Sequence, residues 1–139
     1  MIGFEREEEF VVCESAEAAA DAAADFVAEC ARRANDSRGR FLLALSGGST
    51  PRPLYERLAA TPWRERIDWT RTHLLWSDER CVPPDHLDSN YRMAREALID
   101  HVPIPPNHVH RMRGEDDPAA AAAAYEAEMQ TLLGPAPAG

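Results

Sequence analysis

Five consecutive apolar residues, Phe41-Leu42-Leu43-Ala44-Leu45, run without a break into Ser46-Gly47-Gly48-Ser49-Thr50-Pro51. A strand with one wet face alternates apolar and polar side chains. An unbroken apolar run of strand length is instead buried on both faces, as in a parallel sheet. The two glycines end the run, and Pro51 opens a helix with Thr50 as its cap. The pattern returns at Thr72 to Trp76, a second buried strand that leads straight into Ser77-Asp78-Glu79-Arg80. Two buried strands, each followed by a turn and a helix, constrain the chain to a layered α/β fold.

The other segments fit that plan. Residues 10–13 are a short apolar run and read as an edge strand. Ser15 caps an Ala-rich helix over residues 16–34, which Asn35 to Gly39 breaks. Residues 63–71 read as an irregular connection, with Trp63, Trp69 and Trp76 as packing residues. Asp88 or Ser89 caps a helix of about ten residues. Residues 108–112 read as a short strand. Asp117-Pro118 opens a last helix to Leu133, which Gly134-Pro135 ends. The expected architecture has three layers: a mostly parallel, Rossmann-like sheet with helices on both faces.

With 139 residues, the chain is long enough for one domain. It carries 24 acidic against 15 basic residues, a net charge of −9, which argues against a nucleic-acid face. Every basic residue is Arg, so chemistry that needs a lysine amine is excluded within this chain. No apolar run approaches ~18 residues, so no membrane span is expected. The first ten residues hold Glu5, Glu7, Glu8 and Glu9 and lack the basic start and apolar stretch of a secretory signal; the expected compartment is cytoplasmic. Cys13, Cys30 and Cys81 are odd in number and far apart, which suits reduced thiols better than a disulfide framework or a metal clip.

Two motifs can carry chemistry. The 46–50 loop offers free backbone N–H groups, two glycines that let an anion approach, and the hydroxyls of Ser49 and Thr50, a set suited to phosphate. It has neither the Walker A nor the GxGxxG pattern. The competing reading is a tight turn that needs glycine for its backbone angles alone. The 77–80 segment places Asp78, Glu79 and Arg80 at a strand's C-terminal end, where open α/β sheets bind ligands. A carboxylate pair beside a guanidinium supplies an acid or base and an anion clamp; the competing reading is a surface ion pair with a capping carboxylate. His108 and His110 share a face if their segment is a strand, yet no acidic or thiol partner lies at ligand spacing, so no metal site is expected. His86 and His101 read as exposed, and Cys81 as a buried small hydrophobe without a base beside it.

In this order and combination, Leu45-Ser46-Gly47-Gly48-Ser49-Thr50-Pro51, Trp76-Ser77-Asp78-Glu79-Arg80-Cys81-Val82-Pro83 and Asp88-Ser89-Asn90-Tyr91 resemble the 6-phosphogluconolactonase family, within the glucosamine-6-phosphate isomerase/deaminase superfamily. The resemblance implies hydrolysis of 6-phosphoglucono-δ-lactone without metal or organic cofactor. It implies that Ser46, Gly47, Gly48, Ser49 and Thr50 hold phosphate or sugar oxygens, that Arg80 clamps the anion, and that Asp78 is catalytic at the ring end. The partner it implies is a small phosphosugar lactone. Arg80 stands where the deaminases tend to have Tyr, which favours the lactonase side. The family's Gly-rich loop with its catalytic histidine has no counterpart here. By resemblance residues 1–139 are then a single, incomplete domain, the first half of the family's, with an open sheet edge through which copies could self-associate. The alternatives are a non-catalytic phosphosugar-binding half-domain and an amino-sugar-phosphate deaminase relative.

Overall fold

A computed structural model describes residues 9–134. Helix α1 spans Ala16–Arg38 and starts where Ser15 Oγ accepts the Ala18 N–H at 3.1 Å. It runs past Asn35, the expected break, to Gly39. Asn35, Asp36 and Ser37 are merely weak helix formers, and Arg32 holds Asp36 across one turn at 2.8 Å. Gly39 stops the helix outright, taking φ 74° and donating its N–H to the Asn35 carbonyl. Ala20, Ala24, Ala28, Ala31 and Ala34 are buried along one stripe, so α1 lies close on the sheet without large side chains.

Strands β1 (Phe41–Leu45) and β2 (Thr72–Trp76) pair in parallel, from Phe41 against Thr72 to Leu45 against Trp76. Between them lie α2 (Arg52–Leu58), the short α3 (Trp63–Arg66) and a single 3₁₀ turn. Helices α1 and α2 cover one face, where Phe41, Leu45, Leu58, Leu74 and Trp76 form the core. Leu45 and Leu74 are 1% and 0% exposed, so truncating either to Ala would cost about 2–5 kcal/mol. Trp69 and Trp76 are buried and Trp63 half-buried, as packing residues should be. Helix α4 (Asn90–Ala97) packs on α2, and α5 (Pro118–Leu133) lies over the other face. The layers and parallel pairing are those the sequence implies.

Three expectations are corrected. Residues 10–13 form no strand; Phe10, Val11 and Val12 are 83%, 70% and 94% exposed. Strand-forming residues become a strand only by pairing along an edge, and this run pairs with none. Residues 108–112 make one bridge, Val109 to Leu74, with the His110 N–H donating to the Leu74 carbonyl at 2.9 Å. Pro105 and Pro106 bend the chain into a turn just before it. Thr50 does not cap α2: Pro51 holds that position at φ −80°, ψ −13°, with no side-chain cap.

Helix α5 buries only Tyr125. Polar ties fix it: the Arg40 guanidinium donates to the Leu132 carbonyl at 2.7 Å, and Glu128 meets His110 at 2.6 Å. A cavity of about 400 Å³ remains between α5 and the sheet, lined by Leu42, Ala44, Leu75 and Met129. Among the described residues, the edge of β1 away from β2 has no partner strand.

Candidate functional site

The sheet places both motifs side by side. The 46–50 loop leaves the C-terminal end of β1 and the 77–80 segment that of β2, and the Ser77 N–H donates to the Leu45 carbonyl at 2.9 Å. The root of the first loop is held by its own helix. The Tyr55 hydroxyl accepts the Ser46 N–H and donates to the Ser46 carbonyl, both at 2.8 Å. Burial raises the pKa of that hydroxyl, so it keeps the proton this donation needs.

The two glycines answer different demands. Gly48 has φ 87° with open space where a side chain would project, so it serves the backbone angle. Gly47 serves close approach: a Cβ there would lie 2.6 Å from Asn90 Nδ2 and nearer still to its Oδ1 and Cγ. Ser49 and Thr50 are exposed, and neither hydroxyl hydrogen-bonds another group among the described residues.

The second motif divides its carboxylates. Glu79 Oε1 accepts the N–H groups of Arg80 at 2.8 Å and Asn90 at 2.7 Å, while Oε2 accepts the Tyr91 N–H and the Ser89 hydroxyl, both at 3.0 Å. Ser89 Oγ in turn accepts the Arg92 N–H at 3.1 Å. Glu79 is therefore the second cap of α4, its lone pairs committed to the fold. Asp78 is the carboxylate left for a ligand. It is exposed, and the Asn90 amide donates to its carbonyl at 3.1 Å and to its Oδ1 at 3.3 Å. Arg80 is exposed and pairs with no carboxylate among the described residues, in a chain whose other arginines are mostly paired. It borders an open cleft of about 1260 Å³ shared with Met112, Arg113 and Tyr125. Cys81, expected to be buried, is exposed, because the 81–88 loop turns outward after Arg80.

The histidines lie elsewhere. His86 and His101 are exposed as expected, and none of the five hydrogen-bonds Asp78 or the 46–50 loop. His108 and His110 do converge, with two partners the sequence did not reveal. The His73 ring stacks on His108 with centroids 3.9 Å apart, and its Nδ1 is 3.0 Å from His110 Nε2. His110 Nδ1 faces Glu128 Oε1 at 2.6 Å. Burial, then the charges of His108, His110 and Arg40, push the His73 pKa down to about 4. No group of three or more His, Cys, Asp or Glu side chains arranged to hold a metal occurs among the described residues.

Sequence reasoning missed three residues that build the site: Tyr55, Glu79 as a cap, and Asn90. The Ser89-Asn90 pair stood in a recognised motif, but nothing local shows which residues it meets.

Residues 14–138 match the family described as glucosamine-6-phosphate isomerases/6-phosphogluconolactonase. A 6-phosphogluconolactonase of Nostoc sp. is 50% identical over 101 residues, which are 72% of this chain and 40% of that protein. The crystal structure of a 6-phosphogluconolactonase from Thermotoga maritima superposes with a TM-score of 0.74 at 30% identity, over 81% of this chain and 50% of that one. The 6-phosphogluconolactonase from Trypanosoma cruzi gives 0.76 at 29% identity, over 92% of this chain and 52% of the other. The chain thus spans about half the length of the solved proteins it resembles.

Proposed function

Because the chain belongs to the family of glucosamine-6-phosphate isomerases and 6-phosphogluconolactonases, we propose that its paired loops bind 6-phosphoglucono-δ-lactone and serve its hydrolysis to 6-phosphogluconate. The observation that carries this reading is the joining of the 46–50 and 77–80 loops through Ser77, Leu45 and Asn90. It supports the reading because the amides and hydroxyls of the first loop then neighbour the Asp78 carboxylate, two residues before Arg80.

The roles follow from chemistry. The amides of Gly47, Gly48, Ser49 and Thr50, with the Ser46, Ser49 and Thr50 hydroxyls, meet phosphate or sugar oxygens. Arg80 adds the cation that an anionic ligand needs on a chain of net charge −9. Asp78 meets the ring end. Hydrolysis requires water to attack the lactone carbonyl, a base to take its proton, and a donor for the developing oxyanion. Asp78 and Arg80 suit orientation and charge; no histidine stands beside them. That last observation favours a second reading, phosphosugar binding with little turnover by these residues alone. The free thiols of Cys13, Cys30 and Cys81 suit a reducing compartment, and we place the protein in the cytosol. The β1 edge, unpaired among the described residues, suits self-association.

Calorimetry with 6-phosphogluconate and lactone opening measured above the spontaneous rate test both readings. Binding with turnover supports the lactonase; binding without it supports the second reading; no binding overturns both.

A further inference from the structure

We infer that Asn90 is the positioning residue of this site: its one carboxamide holds the Asp78 carboxylate and the Gly47 backbone at a fixed separation, so that loops from two strands meet a ligand as one surface. The inference rests on the reading that these loops bind a phosphosugar.

The carboxamide lies between the loops. Its Nδ2 donates to the Asp78 carbonyl at 3.1 Å and to Asp78 Oδ1 at 3.3 Å. Its other side is packed so closely on Gly47 that any side chain there would overlap it. Only Oδ1 of Asp78 is engaged in this way, which leaves Oδ2 to face a ligand hydroxyl. Asn90 is itself immobilised: it is 5% exposed, the first residue of α4, and its N–H is held by Glu79 Oε1 at 2.7 Å. Glu79 is anchored in turn by Arg80, Ser89 and Tyr91. The order of constraint is therefore helix cap, then Asn90, then Asp78 and Gly47. The position requires a donor toward Asp78 and a flat, short group toward Gly47. Leu has no donor, and Gln is too long for the gap.

Asn90→Asp keeps the shape, removes the donor and sets a negative oxygen against Asp78. The 139-residue chain, Asn90→Asp and Asn90→Ala are titrated with 6-phosphogluconate and with inorganic phosphate by calorimetry, each at pH 8 and pH 5, and amide exchange is followed in the same samples. At pH 8, Asn90→Asp should weaken 6-phosphogluconate binding about ten-fold or more while changing phosphate binding less than about two-fold, because phosphate alone does not use Asp78. Relative to the parent, Asn90→Asp should regain part of that loss at pH 5, because two facing carboxyls hold a shared proton more readily than one alone and that proton donates again; Asn90→Ala should regain none. A side chain that only filled space would show neither the split between ligands nor the recovery. Equal 6-phosphogluconate affinity in all three proteins, or equal loss of both ligands, overturns the inference and leaves phosphosugar binding standing. If the parent binds neither ligand, the functional reading fails and exchange decides. Faster exchange at residues 46–50 and 77–80 in both variants, with α1 unchanged, supports the role of Asn90; unchanged exchange overturns it.

Discussion

The Tyr125 hydroxyl accepts the Trp76 backbone N–H at 2.9 Å and donates to the His110 carbonyl at 2.9 Å. Tyr125 thus stands in for the next pair of a β-ladder at the point where the bridging segment peels away from β2. Its pKa is raised by burial, which keeps the hydroxyl a donor. Tyr125→Phe keeps the ring but strands a buried N–H and a carbonyl. The loss should be about 1–3 kcal/mol, read as a lower denaturant midpoint, with faster exchange at the Trp76 amide. An unchanged midpoint would mean that water replaces the hydroxyl at no cost.

Gly47→Ala and Gly48→Ala should fail for different reasons. The first collides with Asn90, so adding Asn90→Gly should restore part of the lost stability. The second meets empty space but must hold φ near 87°, a strain of about 1–2 kcal/mol that no change at Asn90 relieves. Unfolding curves of the two single and two double variants separate the cases; identical behaviour in both cycles would refute the distinction.

Acid should loosen α5. The folded pKa of His73 is lowered from 6.5 to about 4, so between those values the unfolded chain binds a proton that the folded one resists. Stability should fall as pH drops from 6.5 toward 4 and level off below. His108 and His110 face His73 from the bridging segment, Arg40 from the start of β1, and Glu128 reaches His110 from α5. A second proton would also break the His73–His110 hydrogen bond. His73→Gln should flatten this part of the stability–pH curve; an equally steep curve would show that other groups set it.

Arg80→Ala should weaken 6-phosphogluconate binding about ten- to a hundred-fold, the worth of one charge-assisted contact. Cys81→Ala should leave it unchanged, although the thiol is exposed. Calorimetry on both variants checks this, and a large effect at Cys81 with none at Arg80 would reverse the roles.

Self-association through the β1 edge, which has no partner strand among the described residues, should appear in light scattering as a mass that rises with concentration. Arg substituted for Ala44, which is exposed, should lower it by placing charge beside that edge. A concentration-independent monomer would count against this use of the edge.

Elements that carry their own chemistry were legible from the residues. Strand β1 begins and ends where its apolar run does, β2 spans the expected Thr72–Trp76, and Ser15, Ser89 and Asp117 cap helices because each cap is satisfied within three residues. What needed a distant partner was not legible. The 10–13 run has strand composition but pairs with no edge. Glu79 reads as half of an acid–base pair until α4 folds back and presents two N–H groups and a hydroxyl to it. The His108–His110 pair looked isolated because His73 lies 37 residues from His110, and Glu128 belongs to a helix with no polar stripe. In the site, the glycines were legible as a class, but their separate tasks depend on Asn90, 43 positions after Gly47.

The Tyr55 clamp on Ser46 bears on the thermodynamics of recognition. An anion-binding loop that orders only on contact surrenders chain entropy at that moment, and its affinity suffers accordingly. Here the root of the loop is already fixed when the helix beside it forms, through both backbone groups of one residue, Ser46. A ligand that meets these amides should therefore bind with a small conformational penalty, and removing one buried hydroxyl would convert a rigid receptor into one that must be folded by what it binds.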